Sequence, residues 1–328
     1  MEGVELSASL IQSMDIGKVF KDNHGDINSM SFSDDCSLLL TSADDDSVNI
    51  YNVIRGTREK LIYNKELGVE NIKFTHHPNA FLCSTRKGKE HLIKYWSSYD
   101  NRIIHNFRGH SDSISSIDMS PKNDVFLSTG RDKQMLMWDL RQRKALARLE
   151  YRDGAGPGMC AFDPSGAVFA LVYPVVHQNT TKNIIKLVDS AKYSDGAFES
   201  WEIESPEIKG IEFSDDGQYL LAYTVENQIL LLDALYGTKK HVFSNFQNEN
   251  GKVMACFSPD SKYVVTGCER SNSIVIFDIN STNKVAELKG HPKIPTSLAW
   301  SREHVLLVSA CQNLLFWVPD YSKLRSYP

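Results

Sequence analysis

No apolar run in the 328-residue sequence approaches the roughly 18 residues of a membrane span, and no Cys-x-x-Cys pair occurs. No membrane association is therefore expected, and Cys36, Cys83, Cys160, Cys256, Cys268 and Cys311 lack zinc or redox spacing. Most of the six sit inside apolar segments ("MCAF", "ACF", "SAC") and read as buried, reduced thiols. Positive charge is not in excess: 36 Lys and Arg against 41 Asp and Glu leave a net charge of −5. Sequence-specific nucleic-acid binding is not expected from such a balance, and any basic surface must be a local patch. The opening "MEGVELSASLIQSMDIG" lacks the basic start and sustained apolar core of a secretory signal. Without secretion, the sequons Asn179-Thr180-Thr181 and Asn280-Ser281-Thr282 read as chance matches. Helical patterns of ten or more residues between strands, which a parallel α/β fold needs, are missing. So are a Gly-x-Ser-x-Gly nucleophile elbow and a strand–loop–helix phosphate cradle; "DGAGPGMC" reads instead as a flexible link. No cofactor and no metal site are expected.

What is present is repetition. An aromatic or Met followed by a small polar residue and a turn recurs at Phe32, Phe74, Met119, Phe162, Phe213, Phe257 and Trp300, with spacings of 42, 45, 43, 51, 44 and 43 residues. Each anchor ends a strand, and a Pro/Asp/Gly/Ser turn leads to an apolar strand such as "KYVVTG". A third strand follows ("VNIYNV", "LIKYWS", "MLMWDL", "IIKLVDS", "ILLLDA", "IVIFDI", "LLFWVP"), and a more polar fourth closes most units. Four short strands per unit of about 40 to 45 residues describe a propeller blade. The fold class is all-β, a seven-bladed propeller. The last unit lacks a fourth strand, and "MDIGKVF" has no unit of its own. Placing that N-terminal strand in the last blade closes the ring and removes two open edges. The domain reading is a flexible extension over residues 1–13, the propeller over 14–319 and a tail over 320–328.

Ser128, His110 and Asp132 supply the inventory of a nucleophilic triad. His110 precedes the third unit's first strand, Ser128 lies on its second, Asp132 in the next turn and Trp138 on its third. A hydrogen-bonded chain Trp–Ser–His–Asp would lock the blade, and the first unit offers a second set, His24, Thr41, Asp45 and Tyr51. A triad has no reason to recur at a blade's separation, and no oxyanion hole is evident. The set reads as structural, and no catalysis is expected.

Gly109-His110 followed by Trp138-Asp139 resembles a WD repeat. "GKVFKDNHGDIN", "TSADDDSVNIYNV", "IIHNFRGHSDSI", "MSPKNDVFLSTGRDKQMLMWDLR" and "SACQNLLFWVP" together resemble one subfamily over about residues 16–319. This is the nuclear propeller shared by COMPASS-type histone methyltransferase complexes and RNA polymerase II termination assemblies. The resemblance implies a nuclear, non-catalytic scaffold. It implies as partners histone methyltransferase subunits, a type-1 protein phosphatase nuclear targeting subunit or cleavage and polyadenylation factor subunits, and the phosphorylated polymerase tail. The fourth-unit insertion "YPVVHQNTTKN" and the first dozen residues have no counterpart in the pattern.

Asp44-Asp45-Asp46 reads as a solvated turn rather than a metal site. His76-His77 reads as a turn lead-in, because neighbouring residues of a strand point to opposite faces. Trp138-Asp139-Leu140-Arg141 resembles the box by which some propellers dock on a cullin-RING ligase adaptor, which leaves a substrate-receptor role as the alternative. Arg86, Lys87 and Lys89 of the second unit and Arg131 and Lys133 of the third fall on equivalent turns of adjacent blades. They form a candidate phosphopeptide patch, since Arg and Lys make charge-assisted bonds to phosphate oxygens.

Overall fold

The second and third strands of each unit are rich in Val, Ile, Leu and Phe on both faces, as in "SIVIFD". Such strands must be covered on both sides. The computed structural model, which describes residues 6–178, 180–244 and 254–324, does this by standing seven four-stranded antiparallel sheets side by side as blades of a ring.

Blade 1 runs through Ile27–Phe32, Leu38–Ala43, Ser47–Asn52 and Thr57–Tyr63; blade 2 through Glu70–Phe74, Ala80–Ser84, Leu92–Ser97 and Arg102–Arg108. Blade 3 comprises Ile114–Met119, Val125–Gly130, Gln134–Asp139 and Ala147–Glu150, and blade 4 Met159–Phe162, Val168–His177, Thr180–Asp189 and Ala197–Glu204. Blade 5 is Ile208–Phe213, Tyr219–Thr224, Ile229–Asp233 and Lys239–Phe243; blade 6 is Ala255–Phe257, Tyr263–Cys268, Ser273–Asp278 and Lys284–Lys289. Blade 7 joins Ser297–Trp300, Leu307–Ala310 and Leu314–Pro319 to the N-terminal strand Met14–Phe20. In each blade the first strand is innermost. First-to-second and third-to-fourth turns share one face of the ring, here the upper; second-to-third turns and interblade links share the lower.

The apolar core lies between blades. Phe20, Leu39, Tyr51, Val308 and Phe316 join blades 7 and 1, and Phe107, Phe126, Leu136 and Trp138 join blades 2 and 3. The Ser of the anchor turn is set by geometry. In blades 1, 5 and 6 its hydroxyl donates to an Asp two residues on (Ser33–Asp35 2.7 Å, Ser214–Asp216 2.5 Å, Ser258–Asp260 2.6 Å) and accepts the backbone N–H that starts the second strand.

The ring closes through Met14–Phe20, which pairs with the third strand of blade 7 from Met14↔Pro319 to Phe20↔Leu314. The register shifts between Ile16 and Lys18. At the intervening Gly17 a Cβ would sit 2.7 Å from Val318 Cγ2, so a larger residue there would push the Val318 side chain aside.

Three expectations are corrected. Residues 6–13 are folded rather than flexible. Ser7 caps a short helix, Ala8–Gln12, by accepting Leu10 N–H at 3.2 Å, and Leu6 and Ile11 are buried in the core of blades 6 and 7. Tyr263 OH donates to the Leu6 carbonyl at 3.2 Å. The link "DGAGPG" is tied down as well: the Tyr151 hydroxyl accepts Gly158 N–H and donates to the Gly130 carbonyl, both at 2.9 Å. And the DDD turn of blade 1 is an ion-pairing turn, described below. The fourth-blade insertion lengthens a hairpin, its second and third strands reaching ten residues each and pairing out to His177↔Thr180.

Candidate functional site

In blade 3 the expected chain of bonds is complete. Trp138 Nε1 donates to Ser128 Oγ at 2.8 Å, Ser128 Oγ lies 2.8 Å from His110 Nε2, and His110 Nδ1 lies 3.0 Å from Asp132 Oδ2. Indole N–H can only donate, so Ser128 accepts there and sends its own proton to Nε2. Nδ1 then carries the ring proton to Asp132. Burial opposes ionisation of Asp132, but the His110 bond and the Ser111 N–H outweigh it and lower its pKa. The His110 and Asp132 side chains are 1% and 2% exposed. The hydroxyl is thus closed off from any substrate and engaged on both sides. It is a strut.

The second set is corrected. His24 is exposed, and only its backbone N–H reaches Asp45, at 2.8 Å. Thr41 Oγ1, buried, has no hydrogen-bond partner among the described residues. The reason is spacing. His110 precedes its hydroxyl residue by 18 positions and His24 precedes Thr41 by 17. The residue at 18 is Asn23, and it is Asn23 that turns inward, its Oδ1 accepting from Asn49 Nδ2 at 2.8 Å. Asp45 instead accepts from Ser47 Oγ at 2.5 Å. Tyr51 is buried against Phe20, with ring centroids 4.6 Å apart.

The true second copy lies in blade 7: Trp317 Nε1 to Ser309 Oγ at 2.7 Å, and Ser309 Oγ to His291 Nε2 at 2.6 Å. Gly290-His291, repeating Gly109-His110 and preceding Ser309 by 18, was the available signal. Where blade 3 has Asp132, blade 7 places Cys311 Sγ 3.3 Å from Nδ1. With no carboxylate to oppose it, burial lowers the His291 pKa to about 4. A depressed folded pKa means that the unfolded chain takes up a proton the folded one refuses. Stability should therefore be full above pH 6.5 and fall as pH drops toward 4, by about 3 kcal/mol from this group. Urea midpoints across that range should slope less in His291→Gln than in the parent; equal slopes would remove the assignment.

The basic patch is only partly free. Arg86 Nη1 and Nη2 donate to Asp44 Oδ1 (2.7 Å) and Asp46 Oδ1 (2.9 Å), and Lys87 Nζ to Asp46 Oδ2 (2.5 Å). Lys87 and Arg86 together outweigh the burial of Asp46 and lower its pKa. The acidic turn of blade 1 and the basic turn of blade 2 neutralise each other because equivalent turns of adjacent blades are neighbours. That rule places cations beside cations, but it also places anions beside them. Lys89, Arg131 and Lys133 are exposed, with no ion pair among the described residues.

Two further constellations went unread in the sequence. His76 Nδ1 is 2.7 Å from Asp34 Oδ2 and its Nε2 is 2.9 Å from the Ser120 carbonyl, so it bolts blades 1, 2 and 3 together on the upper face. Two acceptors on one ring require both nitrogens to donate, and these bonds outweigh burial and raise its pKa. On the innermost strands of blades 2, 3 and 5 the residue before the anchor is charged: Lys73, Asp118 and Glu212. Lys73 pairs with Asp118 at 2.9 Å, and Arg302 with Asp215 at 2.7 Å. Glu212 is pushed up to about 7 by burial and then by Asp215. Among the described residues no metal-ligand cluster accompanies these groups. All six cysteines are free and buried, and burial pushes the Cys83 and Cys160 thiols up to about 12.

The family model "WD domain, G-beta repeat" matches residues 16–52, 101–139 and 238–278. The chain is 34% identical to Protein ANTHESIS POMOTING FACTOR 1 of Arabidopsis thaliana, over 98% of this chain and 95% of that one. It is 31% identical to WD repeat-containing protein 82 of Drosophila melanogaster, covering 96% and 98%, and 30% identical to the Set1 complex component swd2 of Schizosaccharomyces pombe, covering 98% and 94%. The chain belongs to this WD-repeat family. The family's hallmark pair, Gly-His before the first strand and Trp at the third, is what builds the two struts of blades 3 and 7. Trp138-Asp139-Leu140-Arg141 keeps the same local economy, Arg141 Nε and Nη2 donating to the Asp139 carboxylate at 2.9 and 2.7 Å.

Proposed function

We propose that this chain is a non-catalytic scaffold subunit of a Set1/COMPASS-type histone methyltransferase complex in the nucleus, acting on chromatin near RNA polymerase II. The observation that carries the reading is full-length similarity, over 98% of this chain, to a protein named as a Set1 complex component. The physical features agree: rigid blades, hydroxyls committed to struts, and unpaired charge at the surface. Affinity purification of the tagged chain with mass spectrometry tests it. Recovery of a SET-domain methyltransferase is expected, together with a type-1 phosphatase nuclear targeting subunit or cleavage and polyadenylation subunits if it also serves termination. Recovery of cullin and adaptor instead would favour the ligase-receptor reading. That reading asks Arg141 to exchange its bond to Asp139 for an adaptor contact, and so ranks second.

Within this function, Lys89, Arg131 and Lys133 would receive the phosphorylated polymerase tail, Arg86 and Lys87 being engaged by Asp44 and Asp46. A phosphoserine brings up to about two negative charges and three acceptor oxygens, so discrimination would be electrostatic and salt-sensitive. Arg131→Glu/Lys133→Glu should weaken phosphopeptide binding about tenfold at low salt, without loss of methyltransferase recovery. Equal affinity for phosphorylated and unmodified peptide would dismiss the patch.

A further inference from the structure

Blade 3 has an unusually short outer strand. Ala147–Glu150 covers Gln134 to Met137 of the third strand and leaves Trp138 and Asp139 without an outer partner, whereas the outer strands of blades 1 and 2 run seven residues each. The gap opens a lateral cleft of about 360 Å³ between the outer edges of blades 2 and 3. Gly109 keeps its end clear, since a Cβ there would lie 2.8 Å from both Leu136 Cδ1 and Trp138 Cη2.

The cleft has an unusual charge. Arg108, Arg143, Lys144 and Arg148 line it, all exposed, and no carboxylate does. Arg108 is held at 2.9 Å by Glu90, a pair more than half exposed on both sides. The side chains of the other three have no ion pair or hydrogen bond among the described residues. Leu136 and Trp138, both buried, close its floor. On the blade 2 side, His105 Nε2 is buried without a hydrogen-bond partner, and burial, then the charge of Arg143, lowers its pKa. Three unpaired cations within one six-residue stretch, in a chain of net charge −5, raise a local positive potential.

We propose that the lateral cleft between blades 2 and 3 binds an Asp/Glu-rich peptide segment of a partner protein. Four cations line the cleft, which suits several carboxylates in sequence. The buried indole offers no face on which a base could stack, which argues against a nucleic-acid strand. This site lies on the ring's flank, apart from the lower-face turns of the phosphopeptide reading, and stands independently of it.

The test is a fluorescence-polarisation titration of the full chain with a labelled short peptide of Asp and Glu. Its Asn/Gln counterpart and a single-stranded RNA oligonucleotide serve as comparisons. Saturable, salt-sensitive binding of the acidic peptide is expected. Arg143→Glu/Arg148→Glu should weaken it about tenfold or more, and Arg143→Gln/Arg148→Gln by less, with circular dichroism unchanged in both. Arg131→Glu/Lys133→Glu should leave it intact. No saturable binding to the parent protein, equal binding of the Asn/Gln peptide, undiminished affinity in both cleft variants, or tighter binding of the RNA would each overturn the proposal.

Discussion

A chain that begins at Asn23 should be recovered in the insoluble fraction. Its deletion removes Met14–Phe20, and with it the outer strand that pairs with Leu314–Pro319 along its whole length. An unpaired edge is then exposed at the one place where the ring has no covalent continuity, and Phe20 is withdrawn from its contacts with Tyr51 and Phe316, at 4.6 and 5.2 Å. Blade 7 loses its fourth strand and blade 1 part of its packing in one step. A milder truncation is also informative. Deletion of residues 1–12 would be harmless to a flexible extension, but it strips Leu6 and Ile11 from the core between blades 6 and 7. Removal of a fully buried Ile to Ala level costs about 2–5 kcal/mol, so this truncation should fold yet unfold at clearly lower urea. A soluble, cooperative protein starting at Asn23 would show that the ring closes in another way. An unchanged midpoint for the shorter deletion would show that Leu6 and Ile11 contribute little.

The second large effect concerns the strut of blade 3. His110→Ala leaves the Ser128 hydroxyl without its acceptor and the Asp132 carboxylate, 2% exposed, without its ring donor. Unsatisfied buried groups of this kind cost about 1–3 kcal/mol each, and Asp132→Ala should fall in the same range. Because His110, Ser128 and Asp132 form one chain, the double variant His110→Ala/Asp132→Ala should cost less than the sum of its parts. His24→Ala is the internal control. Its exposed ring takes no part in a strut, and a change within about 0.5 kcal/mol is expected. Thermal or urea unfolding of the four variants decides the matter. A large loss in His24→Ala, or none in His110→Ala, would reverse the assignment of roles.

The repeat, the blade count and the strut of blade 3 were legible because they rest on local facts: a period near 43 residues, apolar strands bounded by turns, and a fixed offset between His and a strand hydroxyl. The miss at His24 came from treating 17 and 18 as equivalent spacings. Asn23 and His24 lie in the link between Met14–Phe20 and Ile27–Phe32, where it is Asn23 that is buried and bonded to Asn49 while His24 is exposed. The strut of blade 7 was overlooked although Gly290-His291 announced it, because Cys311 replaced the expected acid. The clamp at His76 could not be read at all. Its partners, Asp34 and the Ser120 carbonyl, lie 42 and 44 residues away in sequence and meet it only when three blades stand side by side.

The sequence alone determined which residues form strands, how many blades there are and which strand must close the ring, since each follows from periodicity and from the need to bury an edge. Only the tertiary structure decided which charges are available. Arg86 and Lys87 look as exposed in sequence as Lys89, yet Asp44 and Asp46 of the neighbouring blade hold them. Arg143, Lys144 and Arg148 look like an ordinary solvated turn, yet a short outer strand leaves them around a lateral cleft whose lining holds no carboxylate. The strand pattern is written in contacts a few residues apart. Charge pairing depends on which turns the closed ring brings within about 4 Å, and that distance is set by packing between blades rather than by the order of residues within one.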